Sequence, residues 1–290
     1  MASLSASFKS GLDLLFGDDS HEPPAVPNTL PDDVAPAARA AVSALVEYQN
    51  ADYAELYLSR LQRFTRRRDV SRELMVEIAR LLAVRMSYSD PIRLAQLRLA
   101  EVLHDGLHKK GSRPDAVRFP LEDLVSTLPD SVAESAVLVL GALGWSNLRM
   151  PLRFTARTRA GLLKLKAMTL LRRFRLQSLR YPKERALVER WLHMIDRSLS
   201  RCPEAALEIA RTASIITGSG DVYHRSVARW HVVIDDLVKP VFDGMIAIPD
   251  LRSAVAAIRA AAEAEADENR LRQMIDEIKS ARAVQTAAVT

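Results

Sequence analysis

Cysteine occurs once in 290 residues, at Cys202, which excludes an internal disulfide, a four-thiolate iron–sulfur cluster and a cysteine-rich zinc site on this chain. Any cluster chemistry has to reside on another polypeptide. Aromatic residues make up only 6% and glycine only 10 residues, whereas Ala, Leu, Arg and Glu recur throughout, a usage that favours helix over strand. Long apolar runs are missing too. The longest, Ala136–Trp145, falls far short of the roughly 20 residues that span a bilayer. No basic segment followed by a long apolar run opens the sequence, so a cytoplasmic protein with an unpaired thiol and no membrane partner is expected. The net charge of +5 is modest for this length and does not imply nucleic acid unless it is concentrated.

What is present is helical periodicity. Leu74, Ile78, Leu81 and Leu82 fall on one helical face after Asp69 or Ser71, either of which can cap the start. Ser89 and Asp90 then offer a second cap, and Pro91 suits the first helical position. Ile92, Ala95, Leu99, Val102 and Leu103 form the next stripe, so the pair reads as a helical hairpin. Leu187, Trp191 and Ile195 predict a further helix, as do Trp230, Ile234 and Leu237. The run Val137–Leu140 predicts deep burial. His108–Pro120 reads as a polar loop, while Met150, Leu152 and Phe154 alternate with polar residues and predict a short extended or hairpin element near 148–156. The expected fold is therefore all-α, a multi-helix orthogonal bundle with that one exception.

The expected layout is a short helix over 1–16, a Pro- and Asp-rich linker over 17–36, a main helical domain over 37–240 and a helical docking segment over 241–290.

Several segments carry a resemblance. Met86-Ser87-Tyr88-Ser89-Asp90-Pro91-Ile92-Arg93 is similar to an "M-x-Y-x-D-x-I-R" joint, and Val46–Tyr57 to a "D-Y-Q-D-x-x-Y-A-x-x-Y" helix. Arg157–Arg180 resembles a "T-x-x-R-G-F-L-L-L-R" helix. Gly218-Ser219-Gly220-Asp221 with Arg225 resembles "K-G-Y-G-D-T-x-x-R-G", with Thr217, Ser219, Val222 and Ser226 replacing its Lys, Tyr, Thr and final Gly. In this order they resemble the C-terminal helical region of the indolepyruvate ferredoxin oxidoreductase family, beta subunit. The resemblance implies a helical accessory region that follows a γ-type domain, of which 1–16 would be the closing helix. It also implies a partner subunit bearing thiamine diphosphate, magnesium and iron–sulfur clusters, with ferredoxin as a further partner. No cofactor and no catalytic residue is expected on this chain.

The ligand-binding candidates are Tyr88, Asp90, Arg93, Gly218, Gly220, Asp221 and Arg225. Read from the residues alone, Gly218 and Gly220 suit a helix end and turn, and Asp221 suits the cap of the next helix. Between Arg153 and Arg180 nine basic residues stand without an acid. Arg172, Arg173, Arg175 and Arg180 are accordingly candidates for a basic partner surface, which a solvated or internally paired face, a docked protein, or phosphate and nucleic acid would each explain. Three functions stay open: the accessory region, a free-standing binding module using 153–180, and a small-molecule enzyme at the 218–225 turn. Weaker signals are Tyr53 and Tyr57, four apart as core or ligand lining, and the histidine pairs His104/His108 and His224/His231, the latter near Asp235 and Asp236.

Overall fold

In the computed structural model, residues 22–105, 116–145, 148–156 and 158–287 are described. The elements are α1 (Ala35–Tyr48), α2 (Ala51–Thr65), α3 (Arg72–Met86), α4 (Pro91–Asp105), β1 (Ala116–Pro120), α5 (Leu121–Val125), α6 (Asp130–Ala142), β2 (Arg149–Arg153) and α7 (Arg159–Leu170). They continue with α8 (Arg180–Arg201), α9 (Ala206–Arg211), α10 (Asp221–Val232), α11 (Lys239–Phe242), α12 (Leu251–Glu263) and α13 (Glu268–Ala287). A 3-10 helix, Leu171–Gln177, follows α7, and a π-helical stretch, Val233–Val238, joins α10 to α11. Among the described residues the fold is mainly helical with one antiparallel two-stranded sheet. No helix among the described residues is long and apolar enough to cross a membrane. The N-terminal helix expected over 1–16 and the first part of the expected linker lie outside the described residues.

The chain forms two compact units that alternate along the sequence. The first includes Ala40–Leu58 and Ser87–Arg185; the second includes Val26–Arg39, Ser59–Met86 and the residues from Ala186 onward.

In the second unit the α3 start is capped as the sequence suggested. Ser71 Oγ accepts the Leu74 N–H at 3.2 Å, while Asp69 pairs with Arg67 instead. Leu74, Ile78, Leu81 and Leu82 are buried, and α3 packs on α9. On α8 the buried stripe is Val188, Trp191, Leu192, Ile195 and Leu199, with Leu187 only half-buried. Trp230, Ile234 and Leu237 are fully buried. Asp250 caps α12 through the Ser253 N–H at 2.9 Å, and α12 and α13 pack on each other and on α9 and α10 respectively.

In the first unit Asp90 Oδ1 accepts the Arg93 N–H at 2.5 Å and Pro91 opens α4, so the joint between α3 and α4 has the local chemistry expected of it. The extended element near 148–156 is β2, and its partner is β1, paired so that Val117 lies opposite Leu152 and Phe119 opposite Met150. β1 occupies the end of the stretch that reads as a loop, because the short Val117-Arg118-Phe119 alternation is flanked by Pro120. Phe119 and Phe154 pack with Ala95, Ala156 and Leu165, so α4, α7 and the sheet close one apolar cluster.

The Val137–Leu140 run departs from its expected burial. Ala133 and Leu140 are buried, but Leu138 is 74% exposed and Val139 57% exposed. The physical reason is coverage: α6 packs chiefly on the five-residue α5, which can shield only one face of a helix of 13 residues.

Candidate functional site

In the first unit the α3–α4 joint brings together most of the residues that the sequence singled out there. Asp90, 1% exposed, holds Arg175, also 1% exposed, through two hydrogen bonds, Nε to Oδ2 at 2.7 Å and Nη2 to Oδ1 at 3.2 Å. These residues lie 85 positions apart. Arg175 Nη1 also donates to the Tyr48 carbonyl at 2.6 Å, and its guanidinium lies 3.9 Å from the Tyr48 ring centre. Gln96 Nε2 donates to the carbonyls of Glu47 at 3.1 Å and Tyr48 at 3.2 Å, and Arg172 reaches the Glu47 carbonyl at 3.2 Å.

This geometry follows from the end of α1. The last carbonyls of a helix have no partner within it and carry partial negative charge. Arg172, Arg175 and Gln96 supply the donors. Part of the positive charge of 153–180 is therefore used in capping α1 within the same unit. Arg175 and Arg180 leave the expected basic partner surface: both are buried, Arg175 against Asp90 and Arg180 against Glu184 at 3.1 Å. A cation beside a buried carboxylate is tolerated there only because the pair is kept together. Arg172 and Arg173 are half-buried.

Tyr88 packs edge-on against Tyr48, with ring centres 5.9 Å apart, and Arg180 lies over its ring at 5.4 Å. The Tyr88 hydroxyl is buried without a hydrogen-bond partner among the described residues, and the Tyr48 hydroxyl donates to the Tyr88 carbonyl at 3.3 Å. Burial pushes both phenols well up, against the pull of Arg175, so both stay neutral. Burial works against the charge of Arg175, but the Asp90 carboxylate more than offsets it and the guanidinium stays protonated. Arg93 meets Glu47 at 3.3 Å and lies 5.6 Å from the Tyr48 ring. Tyr53 and Tyr57 are buried, Tyr53 beside Tyr48 and Tyr181. Both carboxylate oxygens of Asp90 and all three guanidinium nitrogens of Arg175 are thus engaged internally. The arrangement clamps the end of α1, the α3–α4 joint and the 3-10 helix onto one another.

Sequence reasoning missed Tyr48, Gln96 and Gln49, whose Oε1 accepts from Arg175 Nη1 at 3.4 Å. Gln96 had a readable signal: it is polar one helical turn after Ile92, on the stripe that faces inward.

Gly218, Gly220, Asp221 and Arg225 fall in the second unit, at the start of α10. Gly218 and Gly220 have φ of 80° and 56°, the left-handed region open to glycine. Asp221 is not the cap; Gly220 occupies that position and Asp221 is the first helical residue, where its charge suits the helix dipole. Gly220, at φ 56° and ψ −131°, is the last residue outside helical geometry, so the helix begins on Asp221 itself. Ser226, where the resembled signature has glycine, is fully buried and uses its hydroxyl inside the turn, accepting from Thr217 N–H at 3.1 Å and facing the Tyr223 carbonyl at 2.7 Å. Arg225 is exposed. A Cβ on Gly218 would come 2.5 Å from Val222 Cγ1. Gly218→Ala should therefore cost on the order of 1–3 kcal/mol in urea unfolding, and an unchanged midpoint would mean the turn relaxes freely.

His231 Nδ1 accepts from Arg190 at 3.0 Å and lies 3.4 Å from Asp235, which Arg190 also grips. His224 is stacked edge-on beside Tyr223. His108 lies outside the described residues. An open depression of 390 Å³ in the second unit has charged walls that pair among themselves, Arg272 with Asp236 at 3.2 Å and Lys279 with Asp276 at 3.3 Å. Among the described residues no group of three or more His, Cys, Asp or Glu is placed to hold a metal ion. One cysteine cannot furnish a four-thiolate cluster, so these residues do not fit the iron–sulfur groups of the resembled enzymes.

No curated protein and no solved structure matches the chain. Residues 34–236 match a family of unknown function, DUF6537, and since that span is most of the sequence the chain belongs to this family.

Proposed function

We propose that the chain is a non-catalytic helical accessory domain of a 2-oxoacid ferredoxin oxidoreductase of the indolepyruvate type, assisting subunit assembly or the access of substrate, ferredoxin or coenzyme A. One observation carries this reading. Asp90, in the segment most similar to that family, and its partner Arg175 have their carboxylate oxygens and guanidinium nitrogens occupied in fastening helices together at the end of α1. Residues that react with a substrate keep donors or acceptors turned toward it; these are turned toward one another. Thiamine diphosphate, magnesium and the clusters then belong to the partner subunit, which performs the decarboxylation and electron transfer.

The purified chain should co-elute at fixed stoichiometry with the thiamine diphosphate- and cluster-bearing subunit from the same cell, and leaving it out should lower the rate of ferredoxin reduction. Separate elution together with an unaltered rate would end the proposal. A second reading has its own observation: Arg153, Arg159, Lys164 and Lys166 are exposed in a stretch without acids. A phosphate- or nucleic-acid-binding module would be retained on a polyanion column, with a salt slope that falls when these residues are neutralised.

A further inference from the structure

β1 and β2 form a ribbon with two unlike faces. Val117, Phe119 and Leu152 share the face that closes the apolar cluster with α4 and α7. The alternation sends Ala116, Arg118, Arg149, Pro151 and Arg153 to the other face, and all five are exposed. The register places the arginines. Arg118 lies opposite Pro151, midway between Arg149 and Arg153, so it stands about 7–8 Å from each, and those two are about 13 Å apart along β2. Lys164 adds a cation at the Arg153 end of the ribbon, its Nζ 3.4 Å from the Arg153 carbonyl. Neither strand contains an acid. Arg149 already has a contact within the chain, so the site is counted from Arg118, Arg153 and Lys164, none of which pairs with a carboxylate among the described residues.

Cations gathered on an open face without an acid among them attract a polyanion. What the face lacks selects which one. Between the arginines stand only Ala116 and Pro151, so it offers no aromatic or large aliphatic anchor for the centre of a protein interface and nothing to insert into lipid. A second copy would set arginine against arginine. A small phosphate compound would find no walls to enclose it. Single strands stack their bases on aromatic rings, which this face does not have, and duplex RNA closes its major groove to side chains. Duplex DNA needs none of these features. It rewards each phosphate neutralised by releasing counterions, guanidinium meets phosphate through paired hydrogen bonds, and the major groove admits a two-stranded ribbon.

We propose that the outer face of the β1–β2 ribbon binds duplex DNA, with Arg118, Arg153 and Lys164 as its phosphate contacts. The proposal rests on the phosphate- and nucleic-acid-binding reading above, to which it adds the geometry and Arg118, and it is independent of the accessory reading.

The test titrates the full chain into a fluorescently labelled DNA duplex of about 20 base pairs, read by anisotropy between about 50 and 200 mM salt. With three phosphate contacts, the logarithm of the affinity should fall against the logarithm of salt with a slope of about 3. R118E/R153E should weaken binding at the low-salt end more than about tenfold and lower that slope by about 2. R225E/R252E makes the same change of charge at exposed arginines of the second unit and should leave affinity and slope nearly as they were. If R118E/R153E does not keep the circular dichroism of the parent chain, R118Q/R153Q should show the same loss of slope. Duplex binding that both ribbon variants leave unchanged overturns the ribbon as the site, and the phosphate-binding reading then stands on Arg159 and Lys166. Absence of binding to the duplex, to its single strand and to adenosine triphosphate overturns both. Tighter binding to the single strand or to adenosine triphosphate than to the duplex, or flotation with phosphatidylglycerol vesicles in place of duplex binding, gives the ribbon another occupant and overturns the proposal.

Discussion

Arg175→Ala should lower the unfolding free energy of the first unit by about 3–5 kcal/mol, because it strands a buried carboxylate without its guanidinium partner. Asp90 is 1% exposed and Arg175 supplies two of its hydrogen bonds. The Tyr48 carbonyl loses its 2.6 Å donor at the same time. Urea unfolding followed by near-ultraviolet circular dichroism reports on this place directly, since Tyr48, Tyr53 and Tyr88 pack around it. The double variant Asp90→Asn with Arg175→Met separates loss of the pair from loss of a charge partner. It should recover much of the stability, since neither side is then left charged and alone. The asparagine side chain introduced by that change would still be able to cap α4. A loss below about 1 kcal/mol for Arg175→Ala would mean that water reaches Asp90, and the clamp would be a surface pair.

Trp191→Ala should have a comparable effect in the second unit, about 3–5 kcal/mol, through the cavity left by the indole. Trp191 is 2% exposed and its Nε1–H donates to the Ala210 carbonyl at 2.9 Å. Trp191→Phe keeps most of the packing but orphans that carbonyl, and should cost about 1–3 kcal/mol. The expected order of midpoints in urea is wild type, then Phe, then Ala. Trp230 is buried in the same unit and reports unfolding by fluorescence in both variants. Equal midpoints for Phe and Ala would assign the whole effect to the hydrogen bond, contrary to the packing argument.

The sequence conveyed local decisions well and distant ones poorly. The turn into α4 was readable because Asp90 and Pro91 act on the backbone within three residues of themselves. The β2 alternation was readable for the same reason, while β1 was not, since two apolar residues before a proline make too short a pattern. The partnership of Asp90 with Arg175 spans 85 positions, and each looks like an ordinary surface charge until the end of α1 is placed between them. Val137–Leu140 gave the opposite error. Hydropathy reports what a residue prefers, whereas burial depends on whether another element covers it, and α5 is too short to do so. The glycines of the 218–221 turn announced their backbone conformation, but not which residue would occupy the cap.

The alternation of the two units along the chain sets the order in which they can be finished during synthesis. The second unit contributes Val34, Ala38, Phe64 and Ile78, all fully buried in the finished protein, before residue 87. Their remaining partners begin at Ala186, after the intervening Ser87–Arg185 has been made. At translation speeds of about 5–20 residues per second, that interval of roughly 100 residues lasts about 5–20 s. Through it the apolar face of α3 is synthesised but not yet enclosed, and the first unit is itself complete only at its end. The nascent polypeptide therefore carries the apolar face of α3, with Leu74, Ile78 and Leu82, unenclosed for as long as Ser87–Arg185 is being made.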